Sequence, residues 1–193
     1  VGIDVLLVDL ENDHVTACRT HGLEITGPVD EFVARIPAVT PDEVEGSFDR
    51  VVLAVKAQHT RTAIEMIRPH LSAEGYVVSA QNGLNELSIS GVVGERATVG
   101  AFVNFGADWH GPGKVLFGNR GAVVVGEIDG TTLDRTKEIH KLLQIFEPDA
   151  VLTENIWGYL WGKLAYGAML FATALNNDSM ADNFADQHRT KLW

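Results

Sequence analysis

Four short apolar runs leave this chain few folds to choose from. Residues 3–8, 51–55, 76–80 and 97–103 are rich in Val, and each run is unbroken rather than alternating. Strands of that kind belong to a parallel sheet covered on both faces. Helical stretches separate them, over 13–20, over 60–71 and, more briefly, over 85–90. Gly22 stands where a helix C-cap glycine belongs, and Pro69 puts the end of the second helix within a few residues of itself. Strand and helix in alternation, joined by right-handed crossovers, give a doubly wound, Rossmann-like α/β sheet.

Beyond Gly100 the pattern changes. Residues 111–127 hold a Pro-Gly turn and then two β-rich runs about positions 119–121, which predicts an antiparallel hairpin ending the sheet. An amphipathic helix is expected over 133–146, and Val151 and Leu152 form a last short strand. From about Asn155 the chain reads as helical and apolar. The expected division is an α/β domain over 1–150 and the start of an all-helical domain over 151–193. Both ends read as cut. Residues 1–9 make a finished strand with nothing before it, and Trp193 falls in the opening of another helix. A first Rossmann strand and its glycine-rich loop would then precede Val1.

Bulk composition narrows the class. With 46% hydrophobic and 21% charged residues in 193, the chain is ordinary globular material. Its formal net charge of -11 argues against non-specific binding to nucleic acid or to an anionic membrane. Cys18 alone can build neither an internal disulfide nor a cysteine metal site, and a reducing, cytoplasmic setting is the simplest expectation. No signal peptide is visible, and no uninterrupted apolar run reaches the roughly 20 residues that span a bilayer. The seven histidines show no metal spacing and are expected at the surface or at helix caps. No Ser-His-Asp order stands out.

Chemistry is expected at the carboxyl ends of the strands, where open α/β sheets bind ligands. Asp9 closes the first run, in the place of an acid that hydrogen-bonds a dinucleotide ribose; the plain alternative is a loop or capping acid. Lys56 follows the second run directly and could meet a phosphate or carboxylate, or simply be a surface lysine. Gln81, Asn82 and Gly83 close the third, and Gly83 permits a tight turn. Two polar strand ends side by side point at one cleft.

The stretch 157–175 is apolar nearly all round and therefore expected to be buried, with Trp157 and Trp161 packing into the core. It carries one lysine, Lys163. An ammonium on such a helix either snorkels to an edge or faces a polar cleft.

Four segments, VVLAVKAQHT, SAQNGLNE, GPGKV…GNRGAVVVGE and IWGYLWGKLAYGAMLFATAL, occur in an order that resembles the ketopantoate reductase (2-dehydropantoate 2-reductase) family. The resemblance implies a Rossmann domain followed by a helical one. It implies reduction of 2-dehydropantoate to pantoate with NADP(H), a step of pantothenate and coenzyme A biosynthesis. By the same resemblance, Lys163 is the general acid and also touches substrate. Lys56 and Asn82 contact the cofactor, Asn82 lies near the substrate as well, and Ala107 in the FGAD loop offers a backbone contact to the nicotinamide end.

Three positions depart from the family pattern. Asparagines usually follow the lysine by four and eight residues, where this chain has Gly167 and Phe171. That implies a different or bulkier 2-oxo acid. An arginine often sits just after the strand-end acid; Leu10 is there instead, which leans toward NAD(H). The family's late serine and glutamate would fall beyond Trp193. The readings left open are a related Rossmann oxidoreductase acting on another 2-oxo, hydroxy or amino acid, and a dinucleotide-sensing protein without turnover. The sequence also leaves a homodimer open.

Overall fold

The computed structural model describes residues 3–189. Its first half runs β1 (Leu7–Val8), α1 (Asn12–His21), β2 (Leu23–Thr26), β3 (Phe32–Ala34), β4 (Ala38–Val39), β5 (Phe48–Leu53), α2 (Thr60–Ile67) and β6 (Leu71–Ser79). The second half runs α3 (Glu86–Val93), β7 (Thr98–Val103), β8 (Gly106–Gly111), β9 (Lys114–Asn119), β10 (Val123–Glu127), α4 (Asp134–Phe146), β11 (Val151–Leu152), α5 (Ile156–Thr173) and α6 (Met180–Ala185).

The central sheet has the order β11-β10-β7-β6-β5. Its strands β5, β6 and β7 are parallel, and β10 lies antiparallel to β7. Successive residues of β6 serve opposite faces. Tyr76 and Val78 pack with Val99, Val125 and Ile139 of α4, whereas Val77 packs with Ile64 of α2 and Ile89 of α3. Helices therefore cover both faces of β6 and β7, and their unbroken apolar runs follow from that double covering; β5, at the sheet edge, is covered on one face, with Val52 exposed on the other. Ile64 and Ile89 are fully buried, so truncating either to Ala is expected to cost about 2–5 kcal/mol.

Two smaller sheets accompany this one. β1 pairs in parallel with β4, and α1 covers the pair through Val15 and Cys18. The other has the order β3-β2-β9-β8. Gly22 does end α1, with φ at +89° and its N–H on the Cys18 carbonyl at 3.0 Å.

The structure departs from the sequence reading in several places. Of the strand expected over 1–9, only Leu7 and Val8 are in a ladder, while Val1 and Gly2 lie outside the described residues. Trp193 also lies outside them. The hairpin predicted about 119–121 is not one, because β9 and β10 belong to different sheets. The hairpin is β8–β9 instead, turning at Pro112 and Gly113. The chain crosses between sheets at Arg120–Gly121, where a Cβ on Gly121 would lie 1.9 Å from the Asn104 carbonyl oxygen. That crossing is held by the Arg120 guanidinium on the Phe146 carbonyl at 2.9 Å.

Two further corrections concern side chains. His14 is buried, not on the surface; its Nδ1 accepts from the Gly113 N–H at 3.1 Å and the Trp109 indole N–H at 3.4 Å, joining α1 to the hairpin. The helix expected to be buried all round is buried along one stripe only. In α5, Ile156 and Leu160 pack on Val124, and Trp157 donates to the Ile128 carbonyl at 2.8 Å. Trp161, Leu164, Tyr166 and Phe171 are exposed, because no described element packs over that side. Among the described residues no helix is long and apolar enough to cross a membrane.

Candidate functional site

Three adjacent strands bring the main candidates to one edge. β5 and β6 end level with each other, Leu53 opposite Ser79, and β7 lies next with Gly100 opposite Ser79. Lys56 follows β5 and is exposed at the start of a 3-10 turn, where its carbonyl accepts from the His59 N–H at 2.8 Å. Asn82 follows β6 and is exposed, just before Gly83, whose φ of +106° makes the tight turn. At neighbouring spacings of about 4.8 Å, β5 to β7 spans about 10 Å.

Lys163 joins this edge from α5. Its ammonium donates to the main-chain carbonyl of Val103, the last residue of β7, and lies 5.3 Å from the centre of the Phe102 ring. Lys163 is half-buried, and that burial pushes the ammonium below the ordinary lysine value. One carbonyl satisfies one of three N–H donors, so two remain for another acceptor. The snorkelling alternative is therefore realised at the sheet edge, beside the strand-end loops.

Behind the edge lie buried polar side chains that sequence reasoning left unused. Gln81 Nε2 donates to the Val55 carbonyl at 2.6 Å and to Thr60 Oγ1 at 2.9 Å. Asn85 Nδ2 donates to the Asn82 carbonyl at 2.8 Å. Glu86, in the first turn of α3, is fully buried, and neither carboxylate oxygen has a hydrogen-bond partner among the described residues. Burial pushes its carboxyl above the ordinary value. Only the QNG turn signal hinted at this layer, since its partners lie far apart in sequence.

The other candidates sit elsewhere. Asp9 follows β1, off the central sheet, and its Oδ1 accepts from the Glu11 N–H at 2.8 Å in a turn that leads into α1. Ala107, expected in a loop, is instead an exposed residue of β8, paired with Phe117. Among the described residues no hydrogen bond ties either to Lys56, Asn82 or Lys163. Gly167 and Phe171 lie one and two turns beyond Lys163 on α5. A Cβ at Gly167 would meet nothing within 4 Å, and Phe171 is 81% exposed. Among the described residues no three His, Cys, Asp or Glu side chains gather as a metal site.

A family model described as Ketopantoate reductase PanE/ApbA matches residues 1–130. The chain belongs to that family. It is 27% identical over 191 residues to the 2-dehydropantoate 2-reductase of Streptococcus pyogenes serotype M6, a match covering 98% of this chain and 62% of the relative. It is 29% identical over 204 residues to the 2-dehydropantoate 2-reductase of Mesorhizobium japonicum, covering 90% and 60%. This chain thus spans about three fifths of the length of these curated relatives. Among solved structures it resembles D-mandelate dehydrogenase with NADH and anilino(oxo)acetate, with a TM-score of 0.72 and 25% identity over 83% of this chain and 52% of that one. The ketopantoate reductase fold accounts for the mixed α/β architecture, including the parallel strands β5 to β7.

Proposed function

We propose that the protein is a nicotinamide-dependent reductase of a 2-oxo acid, with 2-dehydropantoate as substrate and Lys163 as general acid. The observation that carries this reading is the half-buried Lys163 ammonium on the Val103 carbonyl. It stands at the end of β7, beside β6, which leads to Asn82, with β5 and Lys56 one strand further along. The reading takes residues 1–150 as the dinucleotide-binding part and 151–193 as the beginning of a helical part, with the reaction at their junction.

The donor set suits a dinucleotide. Lys56 offers a cation and Asn82 a carboxamide on the open edge of a parallel sheet, where anionic and amide groups find partners. Asp9 would take the ribose hydroxyls, and Ala107 would lend a backbone contact, both by family resemblance. The bound cofactor would supply a hydride to the carbonyl carbon of the substrate. Lys163 then does two things. Its positive charge faces the oxygen on which negative charge grows, and its N–H passes a proton to that oxygen. The Val103 carbonyl keeps the ammonium aimed while that transfer occurs. Asn82 holds the substrate beside it.

A second reading draws on specific positions. Space is open at Gly167, Phe171 is exposed, and Leu10 supplies no cation for a 2′-phosphate. Those features favour NADH and a bulkier 2-oxo acid, as the likeness to D-mandelate dehydrogenase does. A dinucleotide sensor without turnover is the third outcome.

The deciding experiment follows absorbance of NADPH and of NADH in the intact protein against a panel of 2-oxo acids. Oxidation of NADPH by 2-dehydropantoate upholds the first reading. Preference for NADH and an aryl 2-oxo acid upholds the second. Dinucleotide binding by calorimetry with no turnover leaves the sensor.

A further inference from the structure

Lys56 and Asn82 emerge from separate loops, and what fixes one relative to the other lies beneath them. Thr60, Gln81 and Asn85 are 2%, 4% and 8% exposed. Gln81 Nε2 reaches the Val55 carbonyl, immediately before Lys56, at 2.6 Å and Thr60 Oγ1 at 2.9 Å. The Thr60 hydroxyl donates its one proton to Asn85 Oδ1 at 3.1 Å. Asn85 Nδ2 donates to the Asn82 carbonyl at 2.8 Å. The bonds form a continuous chain from the main chain of one loop to the main chain of the other.

The polarity of this chain is determined throughout. A carbonyl only accepts, so the Val55 carbonyl requires the Gln81 amide nitrogen, and the Asn82 carbonyl requires that of Asn85. Thr60 sits between them, accepting from one amide and donating to the other. The arrangement also leaves Gln81 Oε1 buried without a partner among the described residues. A side chain selected for packing alone would not bury a bare amide oxygen. Thr60 opens α2 and Asn85 precedes α3, so the middle of the chain and its Asn82 end are anchored on helices.

We propose that Thr60, Gln81 and Asn85 are positioning residues that hold Lys56 and Asn82 in the one relative geometry the dinucleotide needs. None of the three touches the ligand in this scheme. The inference rests on the proposed dinucleotide site and deepens it.

The test compares Thr60→Val, which keeps the shape and removes both bonds of the hydroxyl, with Thr60→Ser, which restores them. Both are made in the intact protein. Affinity for NADPH and NADH is measured by calorimetry, and KM and kcat with the preferred 2-oxo acid. Thr60→Val is expected to weaken dinucleotide binding and raise its KM about five- to tenfold, the factor of one hydrogen bond. At saturating dinucleotide its kcat stays within about twofold, and Thr60→Ser stays near wild type in every reading. Asn85→Asp is the second variant if Thr60→Val does not fold. It puts an acceptor against the Asn82 carbonyl and should weaken binding by at least as much. Unchanged dinucleotide affinity in a folded Thr60→Val or Asn85→Asp overturns the positioning role, while the site itself survives. A wild-type protein that binds neither dinucleotide overturns both.

Discussion

Lys163 donates to the Val103 carbonyl, and the length of two elements makes that contact. Ile156, at the start of α5, packs against Gly100, whose Cβ would lie 2.8 Å from the isoleucine Cγ1. From Ile156 to Lys163 is seven residues of helix, about 10.5 Å. From Gly100 to Val103 is three residues of strand, about 10 Å. Helix and strand are in step, so the ammonium arrives at the strand's last carbonyl.

Lys163→Ala is expected to lower kcat at least about a hundredfold, the lower end for a general acid, with dinucleotide affinity nearly unchanged. The wild-type rate should also fall on the alkaline side, because a neutral Lys163 has no proton to give. Burial lowers the ammonium from its ordinary 10.5, so that fall begins below it. The pH profile of kcat checks both points. Activity within a few-fold of wild type would end the role.

Glu86 is fully buried, and that burial raises its carboxyl above the ordinary value. The folded state therefore favours the protonated acid. Its contribution to stability is full below about 4.5, the ordinary value, and is lost as pH climbs through the raised one. Glu86→Gln carries a neutral amide at every pH. Its stability relative to wild type should rise as pH increases above 4.5, measured by urea denaturation at several pH values. A difference that is flat with pH would mean that Glu86 ionises as freely when folded as when unfolded.

Glu127 is buried and takes a two-pronged pair from Arg135, with Nε–Oε1 at 2.9 Å and Nη2–Oε2 at 2.6 Å; Thr136 donates to it as well. This fastens α4 to β10. Glu127→Ala leaves the guanidinium uncompensated and should lose about 3 kcal/mol. Replacing both partners, Glu127→Leu with Arg135→Met, should recover most of it. Thermal melting of the three proteins decides, and equal melting of single and double variants would contradict the pairing.

Gly121→Ala drives a methyl into the Asn104 carbonyl at 1.9 Å and should destabilise by at least about 2 kcal/mol. Gly91→Ala is the contrast. Gly91 lies inside α3 with nothing within 4 Å of its Cβ position, so the change should stabilise by about 0.5–1 kcal/mol. Opposite signs in chemical denaturation are expected.

What could be read from the sequence follows physical range. The Val-rich runs of β6 and β7 announce themselves because burial on two faces leaves a local signature; the β5 run is as apolar although Val52 on its open face is 59% exposed. β2, β3 and β4 do not announce themselves, since they are only two to four residues long, with Pro28 and Pro37 nearby. β9 and β10 were recognisable as strands, but their partners were not. Pairing depends on the crossing at Gly121, which nothing next to it in sequence specifies. Lys56, Asn82 and Lys163 drew notice as polar residues ending or interrupting apolar runs. The Gln81–Thr60–Asn85 chain links positions 21 and 25 residues apart and leaves no periodic trace.

The agreement in length between α5 and β7 has a consequence of phase. One residue inserted between Ile156 and Lys163 would turn everything after it by about 100° around the helix axis. The amine would swing off the sheet and leave the Val103 carbonyl, while Ile156 kept its seat against Gly100. Substitutions along that first stretch of α5 only trim its packing; a change in its number of residues would disarm it.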